Sequence, residues 1–234
     1  MIPARNEAAL LPYCLESVRR AAELSGVECF VLVVDDGSTD GSALIANGLL
    51  RRGQGGVLSV AHRNVGATRA AGVSHVLSNA PRRPTWIACT DADSIVPVDW
   101  IARQLAHAAG GAHGVAGLVA VDRDTPPGIR DRFGRAYQRH ITATSHGHVH
   151  GANLGVSVSA YTSVGGFAPV RCGEDQDLWA RLGAAGYRLL ADKHSVVTTS
   201  SRAIGRADGG FASYMRELYL SPSEGASPAG TFTQ

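Results

Sequence analysis

Residues 29–40 have the sequence CFVLVVDDGSTD, an apolar and β-branched run that ends in a pair of acids and a group of turn-forming residues. Such a run is typical of a buried strand, and the acids and glycine that follow it are typical of a loop. Residues 40–50 then have helical spacing, with Thr39 or Asp40 as the candidate N-cap. A buried strand followed directly by a helix is the repeating unit of an α/β fold.

The same alternation continues along the chain. Further strands are predicted at GVLSVAH (56–62), TWIACT (85–90) and HGVAGLVAV (113–121), with helices over 65–77 and 98–109. After residue 122 the pattern is less regular. It predicts a basic amphipathic helix within 122–140, a strand or turn followed by a short helix within 151–167, a helix within 173–190 and a last strand at 195–201. Strands separated by helices favour a parallel, doubly wound sheet flanked by helices.

The N-terminal segment is predicted to be the end of a strand, a loop and a helix over about 7–23. Only Met1 and Ile2 precede Pro3, whereas a strand usually has about five residues. We expect the first strand of the sheet to be truncated. Either the start lies downstream of the natural one, which we favour, or the sheet tolerates a short first strand. An in-frame stop codon directly upstream would refute the late start.

Composition excludes several classes of protein. The chain has 234 residues, 44% hydrophobic and 18% charged, which is enough for a sizeable core. Its 22 Lys+Arg against 20 Asp+Glu give a net charge of +2, without the basic excess that nucleic-acid binding requires. The sequence has no long apolar segment and no Cys-x-x-Cys pair, and we expect no signal peptide. We expect a cytoplasmic protein with reduced cysteines. A peripheral membrane contact and the oligomeric state stay open.

Acids or polar loops follow three of the predicted strands: the loop Pro3–Glu7, the pair Asp35 and Asp36, and the pair Asp91 and Asp93. Ligands of parallel α/β sheets bind at the carboxyl ends of the strands. Neighbouring carboxylates repel each other unless a cation compensates. An Asp-x-Asp pair at a strand end therefore suggests Mg²⁺ or Mn²⁺ with a bound diphosphate, although an isolated pair is better explained as a solvated loop.

Several segments, in a fixed order along the chain, favour the metal and diphosphate site over the solvated loop. They are IPARNE (2–7), VVDDGSTDGS (33–42), NVGATRAAG (64–72), TDADS (90–94), GANLGVSVSAYTSVGGF (151–167) and GEDQDLWARL (173–182). Together they resemble the family 2 glycosyltransferases of the GT-A fold, from residue 2 to about 206. The resemblance implies an α/β fold with a Rossmann-like, mixed and mostly parallel sheet. It also implies a divalent-metal-dependent, inverting transferase that takes a nucleotide-diphosphate sugar, most commonly a UDP-sugar.

The resemblance also implies roles for particular residues. The expected nucleotide-sugar contacts are Pro3, Arg5, Glu7, Asp35, Asp36, Arg69, Asp91 and Arg202. Among these, Asp36 would accept a hydrogen bond from the base, and Arg69 would lie near the base and phosphates. Asp91 and Asp93 would be the metal ligands, and Asp175 the catalytic base. His150, Asn153 and Glu174 are the expected acceptor residues, and the acceptor is a hydroxyl of a sugar, a lipid-linked compound or a small molecule.

Each role has a structural alternative. Asp36 can form an Asx turn, Asp35 can brace its loop, and Arg69 can be a surface charge. Glu174 and Asp175 can be first-turn acids that the helix dipole favours.

The sequence departs from the family in two places. Processive members carry Gln-x-x-Arg-Trp and membrane helices, which this chain lacks, so we expect single additions. Some members use a late histidine as a metal ligand, but no histidine follows His194. Ser200, Ser201 or water can replace it, and Arg202 and Arg206 can neutralise the diphosphate instead.

The segment HGHVHGAN (146–153) places His146, His148 and His150 on one face if it is extended. Three imidazoles can bind zinc, but we favour a wall of the acceptor pocket or plain surface.

We expect one catalytic domain over 1–206, with a donor-binding half (1–122) and an acceptor-binding half (123–206). An amphipathic helix over 207–220 and a flexible tail over 221–234 would follow it. Two alternatives to a glycosyltransferase are a non-catalytic nucleotide-sugar-binding domain and a nucleotidyltransferase. The second is disfavoured because IPARNE contains no Gly-rich loop followed by lysine.

Overall fold

The computed structural model describes residues 1–50, 53–80, 83–202 and 210–220, which form eight strands and eight α-helices. The strands are β1 (Ile2–Ala4), β2 (Val31–Asp36), β3 (Gly55–Val60), β4 (Trp86–Cys89), β5 (Ser94–Ile95), β6 (Gly114–Val121), β7 (Leu154–Ser157) and β8 (Leu189–Thr199). The helices are α1 (Leu11–Ser25), α2 (Ser42–Leu49), α3 (Val65–Asn79), α4 (Trp100–Ala109), α5 (Pro127–Gln138), α6 (Val158–Ser163), α7 (Glu174–Ala184) and α8 (Phe211–Leu220). A 3₁₀ turn, Gly151–Asn153, precedes β7.

The strands form a three-stranded sheet of order β1-β2-β3 and a five-stranded sheet of order β4-β7-β6-β8-β5. Met1 joins the two sheets: its amino group donates to Ala88 O at 2.7 Å, and Thr90 N donates to Met1 O at 3.3 Å. β1 and β2 pair in parallel, and Met1 bonds to both sides of Cys89 as in a parallel pair. The carboxyl ends of β1, β2 and β4 therefore lie along one edge.

The predicted α/β class with a mixed sheet is confirmed. Parallel pairing joins β1, β2 and β3, and also β6 and β8. Antiparallel pairing is more extensive than the helix–strand pattern suggested, because β7 enters between β4 and β6 with the opposite direction. The two-residue strand β5 has no sequence signal. It pairs Ser94 with Thr199 of β8 and so fixes the position of the preceding Asp93.

Helix boundaries follow local chemistry. α1 begins at Leu11 rather than near Glu7, because residues 7–10 form a turn in which Glu7 O accepts from Leu10 N and Leu11 N. α2 begins at Ser42 with Gly41 at the N-cap and no side-chain cap, so the predicted cap at Thr39 or Asp40 is wrong; Asp40 instead accepts from Ser42 N at 3.0 Å just before the helix. Asn64 caps α3 by accepting from Ala67 N at 2.8 Å.

Buried side chains form three clusters. One lies beneath α1 and α4 around Leu11, Val33 and Trp100, and a second surrounds Leu154 and Leu178. The third joins β6 to α5 and α8 and includes Met215, which is fully buried. The expected C-terminal helix is therefore present over 211–220 and packs on the core. Residues 207–209 and 221–234, for which we predicted helix and tail, lie outside the described residues.

Among the residues that the structure describes, every helix is too short or too polar to cross a bilayer.

Candidate active site

A cleft of about 920 Å³ opens at the carboxyl ends of β1, β2 and β4. One wall consists of the loops that follow those strands. The other consists of residues 148–152, the start of α7, the end of β8 and parts of α5 and α8. Most of the predicted site residues line it together: Pro3, Arg5, Glu7, Asp36, Arg69, Asp91, Asp93, His150, Glu174, Asp175 and Arg202.

Asp36 ends β2 and is buried, and its carboxylate orders the segment that leads into α3. Its oxygens accept from Arg63 N at 2.9 Å, Asn64 N at 3.2 Å and Thr68 Oγ1 at 2.9 Å. Arg63 has a φ of 51°, a left-handed conformation that these bonds stabilise. An ionised carboxylate offers about four acceptor positions, so these bonds leave it able to accept from a ligand.

Asp35 does not line the cleft, so the structure does not support it as a nucleotide contact. It is buried, and its Oδ2 accepts from Ser38 N at 3.3 Å. This is the loop-bracing alternative, and it follows from strand geometry because adjacent side chains point to opposite faces of a sheet.

Arg69 is 1% exposed and lies between two acids in the cleft wall. Its Nη2 donates to Asp91 Oδ1 at 2.5 Å and its Nε donates to Glu174 Oε1 at 3.1 Å. Both bonded groups of Arg69 face protein carboxylates, so Arg69 links α3 to the end of β4 and to the start of α7. Its contact with the base and phosphates stays a prediction.

The role of Glu174 as an acceptor residue also stays a prediction. Its side chain is 7% exposed and is directed toward Arg69. Burial raises the pKa of Glu174, and the neighbouring Arg69 opposes that rise.

Glu7, Asp93 and Arg202 form a second group of paired charges. Arg202 donates to Glu7 through two hydrogen bonds of 2.8 and 2.6 Å, and its Nη2 lies 2.9 Å from Asp93 Oδ2. Burial raises the pKa of Asp93 to about 6; Arg202 opposes the rise, whereas repulsion from Asp91 and Glu7 adds to it. The repulsion among these three acids is reduced when a positive charge lies between them.

In the described part of the chain, no group of three or more His, Cys, Asp or Glu side chains could by itself hold a metal ion. Neither the strand-end acids nor His146, His148 and His150 form such a set. A cation at Asp91 and Asp93 would need further ligands from a bound molecule or water.

Asp175, in the first turn of α7, faces the cleft. Its Oδ2 accepts from Gly151 N at 2.6 Å and its Oδ1 accepts from Gln176 N at 2.8 Å. Burial raises the pKa of Asp175, while the two N–H groups and Arg69 favour its ionised form. A carboxylate with a raised pKa is a better proton acceptor than a solvated one.

Aromatic rings line the cleft near Asp175. Tyr137 of α5 stacks on His148 with centroids 3.7 Å apart, and both rings are nearly parallel to His150 at 5.8 Å. Phe211 of α8 meets His150 edge to face at 6.3 Å. Burial lowers the pKa of His150 to about 4, so this ring is neutral at pH 7.

Sequence reasoning identified the histidine segment but missed Tyr137 and Phe211. The spacing of Ile129, Phe133 and Tyr137 on α5 marks them only as one buried helix face. Nothing in that pattern distinguishes a ring that packs in the core from one that also reaches a cleft.

Asn153 was also expected to contact the acceptor, and the structure corrects that expectation. Its amide is buried and fully bonded inside the protein: Nδ2 donates to Leu118 O and Ser195 O, and Oδ1 accepts from Trp100 Nε1, at 2.9 to 3.0 Å. Asn153 therefore fixes the 3₁₀ turn against β6 and β8 and does not line the cleft. Arg206 lies outside the described residues.

Comparisons with known proteins show which family and which relatives this chain is similar to. Residues 1–165 match the family model described as glycosyl transferase family 2. Over 207 residues the chain is 29% identical to the succinoglycan biosynthesis protein ExoA of Rhizobium meliloti (strain 1021), covering 84% of this chain and 61% of that protein. Over 148 residues it is 34% identical to the undecaprenyl-phosphate 4-deoxy-4-formamido-L-arabinose transferase of Enterobacter sp. (strain 638), covering 62% of this chain and 43% of the relative.

Solved structures show the same fold. The mannosyltransferase PcManGT from Pyrobaculum calidifontis, in complex with GDP-Man and Mn²⁺, superposes with a TM-score of 0.65 at 19% identity, over 88% of this chain and 57% of that one. Residues 1–349 of S. aureus TarS, in complex with UDP-GlcNAc, give 0.65 at 14% identity, over 93% and 64%.

The family model covers most of the chain, and the fold and the strand-end acids agree with it. This chain belongs to glycosyl transferase family 2. It spans less than two thirds of the length of the curated relatives that it matches.

Proposed function

We propose that this chain transfers a sugar from a nucleotide-diphosphate sugar to a hydroxyl acceptor, one sugar at a time and with inversion at the anomeric carbon. One observation carries the proposal. Asp36, Asp93 and Asp175 come from three separate elements and line a single cleft at the carboxyl ends of parallel strands, in a member of glycosyl transferase family 2. That edge is the ligand-binding edge of α/β sheets.

In this proposal residues 1–122, together with Arg202, bind the donor. Asp36 accepts from an N–H of the base, Arg5 and Arg202 attract the diphosphate, and Asp91 faces the ribose or a metal-bound water. The neighbours solved with GDP-Man and with UDP-GlcNAc support a nucleotide sugar as the donor class. We propose that the donor is a UDP-sugar. A GDP-sugar is the alternative donor to be tested beside it.

A divalent cation, Mn²⁺ or Mg²⁺, would be held directly by the carboxylate of Asp93 and through a bound water by Asp91; oxygen ligands are the ones that these ions prefer. The residues fit such an ion in their donor chemistry, because the carboxyl groups of Asp91 and Asp93 line the same cleft at the end of β4. When bound, the cation offsets the negative charge that develops on the leaving diphosphate. The neighbour solved with Mn²⁺ supports the use of a divalent metal.

Asp175 is the proposed general base. It takes the proton from the acceptor hydroxyl as the oxygen attacks the anomeric carbon on the face opposite the diphosphate. A single displacement of this kind inverts the configuration and needs no carboxylate nucleophile. Residues 123–206 form the acceptor side, where neutral His150 faces the cleft beside Tyr137 and His148.

The test is nucleotide release from UDP-sugars and GDP-sugars in the presence of Mn²⁺ or Mg²⁺, with and without EDTA. We expect slow metal-dependent hydrolysis by the wild type and none by Asp93→Asn. Nucleotide-sugar binding without release in any metal would favour a non-catalytic domain. Release of pyrophosphate from a nucleoside triphosphate would favour a nucleotidyltransferase. Absence of nucleotide-sugar binding would refute the proposal.

A further inference from the structure

Arg202 bridges two buried carboxylates at the position where the proposed function requires a divalent cation. The side chains of Glu7 and Asp93 are 7% and 11% exposed, and that of Arg202 is 28% exposed. The guanidinium donates to both oxygens of Glu7 and reaches Oδ2 of Asp93 at 2.9 Å. This arrangement is a charge-assisted fork, which supplies the positive charge that the acids require.

A divalent cation and this guanidinium cannot both bind the same face of Asp93. Two positive charges a few ångströms apart in a part-buried place repel each other strongly. The other oxygen of Asp93 has only long contacts, at 3.4 Å from Ser94 Oγ and 3.5 Å from Thr199 Oγ1. A cation on that oxygen would still lie within a few ångströms of the guanidinium, so it would bind more tightly once Arg202 withdraws.

The acids are the fixed partners in this bridge. Asp93 directly precedes β5, which pairs with β8, and the backbone N–H of Glu7 donates to Ser42 Oγ at 2.8 Å. Arg202 lies beyond the end of β8, at the end of a long side chain that is more exposed than either acid. Its length and greater exposure make it the member of the bridge best able to withdraw.

We propose that Arg202, anchored on Glu7, is a resident counter-cation that competes with the divalent cation for Asp93. This inference rests on the proposed function. The protein without nucleotide then binds metal weakly, because only the fraction with Arg202 withdrawn is competent. A nucleotide diphosphate offers the released guanidinium an alternative anionic partner, so metal and nucleotide bind cooperatively.

The experiment measures Mn²⁺ binding to the full chain by electron paramagnetic resonance of the free ion, first without nucleotide. Arg202→Gln should bind Mn²⁺ on the order of tenfold more tightly than the wild type. UDP should tighten Mn²⁺ binding by the wild type and have less effect on the variant. Arg139→Gln is the matched control, because Arg139 also lines the cleft but has no part in the bridge; it should bind Mn²⁺ as the wild type does.

Arg202→Lys keeps the charge and loses the fork, so its Mn²⁺ affinity should lie between those of the wild type and Arg202→Gln. Equal or weaker Mn²⁺ binding by Arg202→Gln would overturn the inference, and so would absence of Mn²⁺ binding by both proteins. Thermal unfolding verifies that the variants are folded. If the wild type still releases nucleotide from a nucleotide sugar, only this inference fails; if it binds no nucleotide sugar, the proposed function fails.

Discussion

The guanidinium of Arg69 and the carboxylate of Glu174 form an ion pair of 3.1 Å between residues that are 105 positions apart in the chain. Both side chains are almost completely buried. The same guanidinium bonds Asp91, so one buried cation holds together α3, the end of β4 and the start of α7. Asp175 directly follows Glu174, and the pair therefore also fixes the proposed catalytic base.

Replacing Arg69 should destabilise the protein strongly. Arg69→Met keeps much of the side-chain volume but leaves Glu174 buried without its partner. Breaking a buried pair by removing one member costs about 3–5 kcal/mol. The free energy of unfolding from urea titration, monitored by tryptophan fluorescence, measures the loss.

The control for Arg69 is Arg19→Gln on the surface of α1, where Arg19 pairs with Glu16 and Glu23. Exposed pairs contribute little, so this variant should unfold close to the wild type. Equal stability of Arg69→Met and the wild type would show that Glu174 does not depend on the pair.

Gly151 should not tolerate a side chain. A Cβ added there would lie 2.5 Å from Nη2 and 2.9 Å from Cζ of Arg69, which cannot move without breaking its ion pairs. Overpacking of this kind costs about 1–3 kcal/mol. It should also displace the Gly151 N–H that Asp175 accepts from.

The matched control for Gly151→Ala is Gly147→Ala in the same segment, where an added Cβ meets nothing within 4 Å. Thermal unfolding of both variants tests the prediction. A Gly151→Ala protein as stable as Gly147→Ala would mean that the guanidinium can move away without cost.

Asp175→Asn should lower the rate of transfer and spare donor binding. The amide cannot take the acceptor proton, and loss of a general base costs about 10²–10⁴ in rate. Nucleotide-sugar affinity by calorimetry should stay close to that of the wild type, because Asp175 is proposed to contact the acceptor. Asp177→Asn lies in the same helical turn and pairs with Arg181, so it provides the control. A loss of rate no larger than that of the control would remove Asp175 from the mechanism.

The positions of the acids at the strand ends could be predicted from the sequence, because two rules identify the same residues. An apolar run that stops at acids marks the end of a strand, and parallel strands bring those ends to one edge. Asp36, Asp91 and Asp93 all line the cleft as those rules predict. The helix start that carries Asp175 was accessible in the same way, from acids before an amphipathic run.

The hydrogen-bond and ion-pair partners of those acids could not be predicted from the sequence, because they depend on contacts between distant segments. Arg69 looks like an ordinary charge on α3 until Asp91 and Glu174 are brought around it. Asn153 looked like an acceptor residue because it belongs to the family motif, but β6 and β8 enclose its amide. The local sequence pattern shows which helix or strand carries a residue. Contacts between distant segments determine which groups its polar atoms bond to.

The stability of the protein without divalent cations should depend on the ionisation of Asp93. Burial raises its pKa from 3.8 to about 6, so the folded state holds this proton more tightly than the unfolded chain does. The contribution of Asp93 to the free energy of unfolding therefore falls as the pH rises from about 4 to about 6, and levels off above that. Asp93→Asn cannot ionise and should lack this fall, so its stability relative to the wild type should increase across the same window. Urea titrations in EDTA at intervals between pH 4 and pH 7 measure the difference, and parallel profiles for the two proteins would contradict the raised pKa.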